Sequence, residues 1–151
     1  MANGKASLRL WLQLLTCTNF IERDVRTRLR QDFSVTLPRF DMMAALERAP
    51  DGLSMGELSE RLMVSNGNVT GVAERLVQEG LAKRWSPPAD RRSSHIALTV
   101  HGQREFAAMA KQHQGWIEKM MSDLNAKERE TLMMLLTKVK TSIDTEGRDA
   151  A

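Results

Sequence analysis

Apolar positions recur at helical spacing over most of the chain and at strand spacing only twice. Between Leu8 and Arg30, Leu8, Leu12, Leu15, Phe20 and Val25 trace one helix. Leu10, Trp11 and Leu14 widen its apolar surface until it needs cover on two sides, as a second subunit would give. Residues 1–7 read as a polar, frayed start. Thr36 is an N-cap with Pro38 in the first turn, and Phe40, Met43, Ala44 and Leu46 carry that helix to about Arg48. Pro50-Asp51-Gly52 is a turn. Ser54 and Glu57 form a capping box that opens a helix with Leu58, Leu62 and the Arg61 stem on one face. Met63-Val64 is a turn and Ser65 the N-cap of another helix, whose buried stripe is Val69, Val72, Ala73 and Leu76. Gly80 stops it. Leu81–Trp85 and His95–Thr99 read as two short strands, the second with Ile96 and Leu98 on one face. A long helix follows to about Asp123, striped by Phe106, Met109 or Ala110, His113, Ile117, Met120 or Met121, and Leu124. Asn125 and Glu128 make a second capping box, and Leu132, Leu135, Leu136, Val139 and Ile143 line the last helix. The fold class is mainly α with a small β-wing.

The polar face of the helix after Ser65 is the unusual one. It carries Gly67, Asn68, Thr70, Gly71, Glu74, Arg75 and Gln78. Each glycine costs a helix roughly 1 kcal/mol relative to alanine, a cost accepted where something must come close: DNA, or a packed neighbouring helix. Asn68 has the amide that pairs bidentately with adenine. Thr70 suits a thymine methyl or a phosphate, Arg75 a phosphate, and Asn66 lies on the flank.

Between the strands, Ser86-Pro87-Pro88-Ala89-Asp90-Arg91-Arg92-Ser93-Ser94 is a Pro-rich tip that cannot continue a sheet. It is either a solvated charge cluster or a wing whose arginine enters a narrow minor groove, with Asp90 aiming one guanidinium through a bidentate pair. The run Leu81-Ala82-Lys83-Arg84, the Asp90-Arg91-Arg92-Ser93 element, and Leu98-Thr99-Val100-His101-Gly102 resemble the winged helix-turn-helix of the MarR family of bacterial transcriptional regulators. The resemblance covers nearly the whole chain. It implies that Arg92 is the minor-groove arginine, Asp90 its orienting partner and Arg91 a phosphate contact. It also implies a short strand near Leu53, which the residues alone present as loop. The expected DNA contacts are therefore Ser65, Asn66, Gly67, Asn68, Thr70, Gly71 and Arg75 on the helix, with Arg84, Asp90, Arg91 and Arg92 on the wing.

At 151 residues the chain suits one domain, expected to bury about 70% of its unfolded surface. Residues 36–99 would form the winged helix-turn-helix, with 1–35 and 100–151 a helical dimerisation region. The formal charge is only +3, so global charge does not establish nucleic-acid binding. Its distribution says more: from Arg61 to Arg104 there are seven Arg or Lys (61, 75, 83, 84, 91, 92, 104) against three acids (74, 79, 90). Arg23, Arg26, Arg28 and Arg30 alternate with Glu22, Asp24 and Asp32 as a solvated face. No membrane-length apolar run and no signal segment are apparent, which points to the cytoplasm. One cysteine excludes an intrachain disulfide framework.

A two-fold dimer presents two reading helices about one DNA turn (roughly 34 Å) apart, hence an imperfectly palindromic operator. Repression, and a small effector bound between dimer helices and winged region, are what the resemblance implies. Trp11, Phe20, Arg39, Phe40, Met43, His113 and Trp116 are the expected pocket residues; each apolar one, and His113, could equally be ordinary core. Arg39 suits a carboxylate or phosphate. Leu8-Arg9-Leu10-Trp11-Leu12, Leu37-Pro38-Arg39-Phe40-Asp41 and Ser65–Thr70 are similar to a subgroup governing aromatic-acid breakdown, whose effectors include hydroxycinnamoyl-CoA thioesters. Two other readings stand beside this one. Cys17 would make the chain a thiol-based oxidant sensor, although such sensors hold their cysteine with tyrosines and this chain has none; a buried structural cysteine is the expectation. Alternatively the basic tip meets an acidic protein. An enzyme is not expected: His95, His101 and His113 lie on three elements without metal-ligand spacing, no nucleophile has an evident base, and no cofactor motif appears.

Overall fold

The computed structural model describes residues 2–62 and 66–149, with the side chains of 2, 3, 66, 67, 148 and 149 left aside. Among the described residues, six helices and three strands follow in the order α1 (Ala2–Phe33), α2 (Leu37–Glu47), β1 (Leu53–Ser54), α3 (Met55–Leu62), α4 (Asn66–Gln78), β2 (Ala82–Trp85), β3 (His95–Leu98), α5 (Val100–Met120) and α6 (Ala126–Asp149). This is a mainly helical chain with a small antiparallel wing. It divides into two compact units, Met1–Gly115 and Trp116–Ala151.

In the first unit the core gathers where the predicted stripes meet. Val25 and Leu29 of α1, Phe40, Met42, Met43 and Leu46 of α2, Leu58 of α3, and Val69, Ala73 and Leu76 of α4 are all buried. Thr36 caps α2, its side chain accepting from the Arg39 amide at 3.4 Å. Ser54 Oγ accepts from the Glu57 amide at 3.1 Å, so α3 starts where expected. Ser54 is at the same time the last residue of β1, opposite His95. The strand near Leu53 thus exists, and the sheet order is β1-β3-β2. The Met63-Val64 turn and the Ser65 cap lie outside the described residues.

Several boundaries differ from the reading of the sequence, and at Leu81 and Thr99 the reason is that the residue caps a flanking helix. α1 begins at Ala2, so the polar start is helical rather than frayed. Leu81 stays out of β2 because its amide closes the end of α4, donating to Leu76 O at 2.9 Å while Gly80 N donates to Val77 O at 3.0 Å. This Schellman pair needs a left-handed residue, and Gly80 supplies φ +74°. Thr99 leaves β3 because it caps α5: its Oγ1 accepts from the Gly102 amide at 3.0 Å. Ala97 is buried like Ile96 and Leu98, so β3 is covered on both faces rather than one.

Much of α1 keeps an apolar surface open in the single chain. Leu8, Leu10, Trp11, Leu12, Leu15 and Phe20 are exposed. In the second unit both arms of the Asn125–Glu128 box form: Asn125 N donates to Glu128 Oε1 at 3.0 Å, and Glu128 N to Asn125 Oδ1 at 2.9 Å. α6 then presents Leu132, Met133, Met134, Leu135, Val139 and Ile143 to solvent. No helix among the described residues is long and apolar enough to cross a membrane.

Candidate nucleic-acid interface

α4 turns Val69, Ala73 and Leu76 inward, leaving Asn68, Thr70, Gly71, Glu74, Arg75 and Gln78 exposed. A Cβ added at Gly71 would meet nothing within 4 Å. The glycine is therefore not there to let a neighbouring helix of this chain pack close. Ser65 and the side chains of Asn66 and Gly67 lie outside the described residues. Asn68 borders a cavity of about 360 Å³ shared with Glu22, Arg26, Asp41 and Val72. There burial, and then the Glu22 carboxylate, push the Asp41 carboxyl above its ordinary value.

The wing is held by its own short-range bonds. Asp90 N donates to Pro87 O at 3.1 Å and Ser93 N to Asp90 O at 3.3 Å, two successive turns at the tip. The Asp90 carboxylate differs from expectation. Its Oδ1 accepts the backbone amide of Arg92 at 3.1 Å rather than clasping a guanidinium. The spacing explains this, because an aspartate reaches the amide two residues on more easily than it reaches round a long neighbouring side chain. Asp90 fixes the backbone that carries Arg92. Arg91 and Arg92 are exposed, and among the described residues neither guanidinium has a partner. Arg84, at the base of the wing, donates through Nε to Ser94 Oγ at 2.7 Å, tying β2 to the return of the loop.

One junction fixes α4, the wing and α5 together. Thr99 Oγ1 donates to Gly80 O at 2.7 Å, and Thr99 N donates to Leu81 O at 3.0 Å. At Gly102 an added Cβ would lie 1.9 Å from that same Leu81 oxygen. The Leu-Thr-x-x-Gly run is thus a clamp: threonine ties the end of α4 to the start of α5, and glycine lets the two backbones meet.

Of the expected pocket residues within the first unit, the structure brings Arg39 together with Met43 and Phe40 together with His113. Arg39 and Met43 border a partly open cavity of about 400 Å³. Phe40 is core, its ring 5.5 Å from Phe106 and 4.8 Å from His113. Burial holds His113 below its usual value. Trp11 and Phe20 stand exposed on α1, with the Arg23 guanidinium 5.0 Å from the Phe20 ring centroid. Trp116 is buried in the second unit. Cys17, expected to be buried, is exposed on α1, where the core contacts are confined to the helix's later turns. Sequence reasoning missed Glu79, which forms an ion pair with Arg39 across forty residues of chain.

Known proteins place this architecture. Residues 33–93 match the MarR family model. The chain is 30% identical over 113 residues to the transcriptional activatory protein BadR of Rhodopseudomonas palustris, covering 72% of this chain and 64% of BadR. It is 29% identical over 110 residues to the HTH-type transcriptional regulator PecS of Dickeya dadantii, covering 72% of this chain and 66% of PecS. In both cases the match spans just under two thirds of the relative's length. The structure of a MarR family transcriptional regulator from Silicibacter pomeroyi superposes with a TM-score of 0.80 at 29% identity, covering 95% of this chain and 99% of that one. With the helix pair, the three-stranded wing and the clamp after it all present, the chain belongs to the MarR family.

Proposed function

We propose that this protein is a sequence-specific DNA-binding transcriptional regulator, a homodimeric repressor of a catabolic operon that leaves an imperfect palindrome when a small aromatic acid or its CoA thioester binds. The observation that carries the reading is the pairing of two surfaces: the α4 face of Asn68, Thr70, Gly71 and Arg75, and a wing tip with two unpaired arginines. The α4 face reads base edges in the major groove, and Arg92 enters the minor groove beside it while Arg91 holds phosphate. Arg84 contacts the backbone from the base of the wing. The family membership supports this reading, as do relatives named as transcriptional regulators.

Dimerisation through residues 1–35 and 100–151 is supported by the exposed apolar rows on α1 and α6, since contiguous exposed apolar surface marks an interaction site. Two copies related by a two-fold axis set the half-sites one helical turn apart. The test is footprinting of the purified protein on DNA upstream of its own and neighbouring genes. A protected imperfect palindrome, occupied by one dimer, is the expected result; protection of a single unrepeated half-site would remove the dimer from the account. Transcription from that promoter with and without the protein decides repression against activation, a choice sharpened by BadR's name as an activatory protein.

The exposure of Cys17 keeps a second reading in view, an oxidant sensor acting through this thiol. Operator affinity unchanged by peroxide removes it.

A further inference from the structure

Arg39, in the first turn of α2, is nearly enclosed: its side chain is 12% exposed, whereas that of its ion-pair partner Glu79 is 46% exposed. Its Nε is buried and finds no acceptor among the described residues. A guanidinium so placed must keep an anion, since an unpaired charge there is far costlier than a paired one. The carboxylate that serves it is about half exposed, so a competing anion can reach the pair from solvent.

Glu79 has a particular position. It follows α4 directly, its amide continues the helical ladder to Arg75 O at 3.0 Å, and the next residue is the left-handed Gly80 that closes the helix. The Arg39–Glu79 pair is therefore a tie between α2 and the carboxyl end of α4. The two residues face a partly open cavity of about 400 Å³, a volume suited to a small ligand. Its lining mixes apolar Phe33, Val35, Met43 and Met109 with polar Ser34, His101 and Glu105.

Resting on the ligand-responsive reading above, we propose that Glu79 is a built-in competitor for the anion seat of Arg39, and that the effector is a free monocarboxylate with an apolar body which takes Glu79's place and so unties α4 from α2. The chemistry selects against the CoA thioester in this cavity. Thioester formation removes the carboxylate that Arg39 would hold. A ligand that binds only the untied state shifts the regulator toward that state by the ratio of its affinities for the two.

The experiment is calorimetric titration of the full-length dimer with 4-hydroxycinnamate, 4-hydroxybenzoate and 4-hydroxycinnamoyl-CoA, on the wild type, Glu79→Gln and Arg39→Gln. Glu79→Gln removes the competitor at an exposed position and is expected to bind one of the free acids at least about five-fold tighter than wild type, with the thioester unimproved. Arg39→Gln is expected to lose acid binding; should it fail to fold, Glu79→Gln alone decides. Acid affinity unchanged or weakened in Glu79→Gln overturns the proposal, as does failure of both acids to bind wild type and Glu79→Gln. Operator binding by the same preparations separates the two claims. Intact operator binding with no gain in Glu79→Gln removes the competitor and leaves the regulator. The gain without any operator binding keeps the anion seat and removes the regulator.

Discussion

Replacing Gly102 by alanine should damage the protein out of proportion to the single methyl group added. The new Cβ would lie 1.9 Å from the Leu81 carbonyl oxygen and 2.9 Å from its carbon, where even a tight contact needs 3.0 Å. The backbones must separate by about 1 Å or more, and neither atom belongs to a flexible side chain that could swing aside. Separation strikes bonds that share the junction: Thr99 N to Leu81 O at 3.0 Å and the Gly102 amide to Thr99 Oγ1 at 3.0 Å. Weakening a helix cap costs roughly 0.5–2 kcal/mol, a backbone hydrogen bond about 1, and overpacking about 1–3. These losses overlap, so a total of about 3 kcal/mol is expected, and for a chain of this size that lowers the thermal midpoint by roughly 6–12 °C. The assay is thermal or urea unfolding at one fixed protomer concentration, because the stability of the proposed dimer would depend on it. Gly71→Ala is the comparison, since its Cβ meets nothing within 4 Å. Gly102→Ala within about 1 kcal/mol of wild type would refute the clamp.

Gly71→Ala itself should move two measurements in opposite directions: unfolding stability up by about 0.5–1 kcal/mol, because glycine inside a helix is costly, and operator affinity down, because the methyl stands where DNA approaches. At Asp90 the substitutions to asparagine and alanine should part company. Asp90→Asn would keep an acceptor for the Arg92 amide and most of the operator affinity, whereas Asp90→Ala should lose several-fold; equal losses would mean that the charge matters more than the turn. His113 has a folded value pushed below the ordinary 6.5 by burial, so the unfolded chain binds its proton first. Stability from this group is complete above about 6.5 and is lost as pH falls through that value toward the lower, folded one. His113→Gln should flatten the pH dependence of the unfolding midpoint there.

How much could be read in advance depended on how local each cause was. The helix starts were legible because their signals lie within a few residues: Thr36 accepts from Arg39, both arms of the Asn125–Glu128 box form, and Ser54 accepts from Glu57 as one arm of its box. The stripe Val69, Val72, Ala73, Leu76 located the outward face of α4 for the same reason, burying all but Val72 fully. Strand ends were less legible, because Leu81 and Thr99 have strand-like neighbours yet serve as caps of the flanking helices, Leu81 through its amide and Thr99 through its hydroxyl. β1 was invisible to pattern, since two residues carry no periodicity and Leu53 joins the sheet only once Ile96 is opposite it. The Arg39–Glu79 pair had no signal at all: nothing in the spacing links two charges forty residues apart, and only the packing of α2 against α4 brings them together. Cys17 misled because an apolar row suggests burial, while in the single chain that row faces water.

The central claim is that α4 and the wing bind DNA together, and it is tested most directly by operator affinity across a range of salt concentrations for the wild type and Arg92→Ala. Wild-type affinity should fall linearly with salt on logarithmic axes, with a slope of about −0.9 per phosphate neutralised. Arg92→Ala should bind at least about ten-fold more weakly at every salt concentration, with a slope shallower by about 1 and the same protected palindrome, as expected on losing one guanidinium from the groove. Arg92→Ala indistinguishable from wild type in affinity and slope would contradict the account, because the wing would then be standing clear of the DNA.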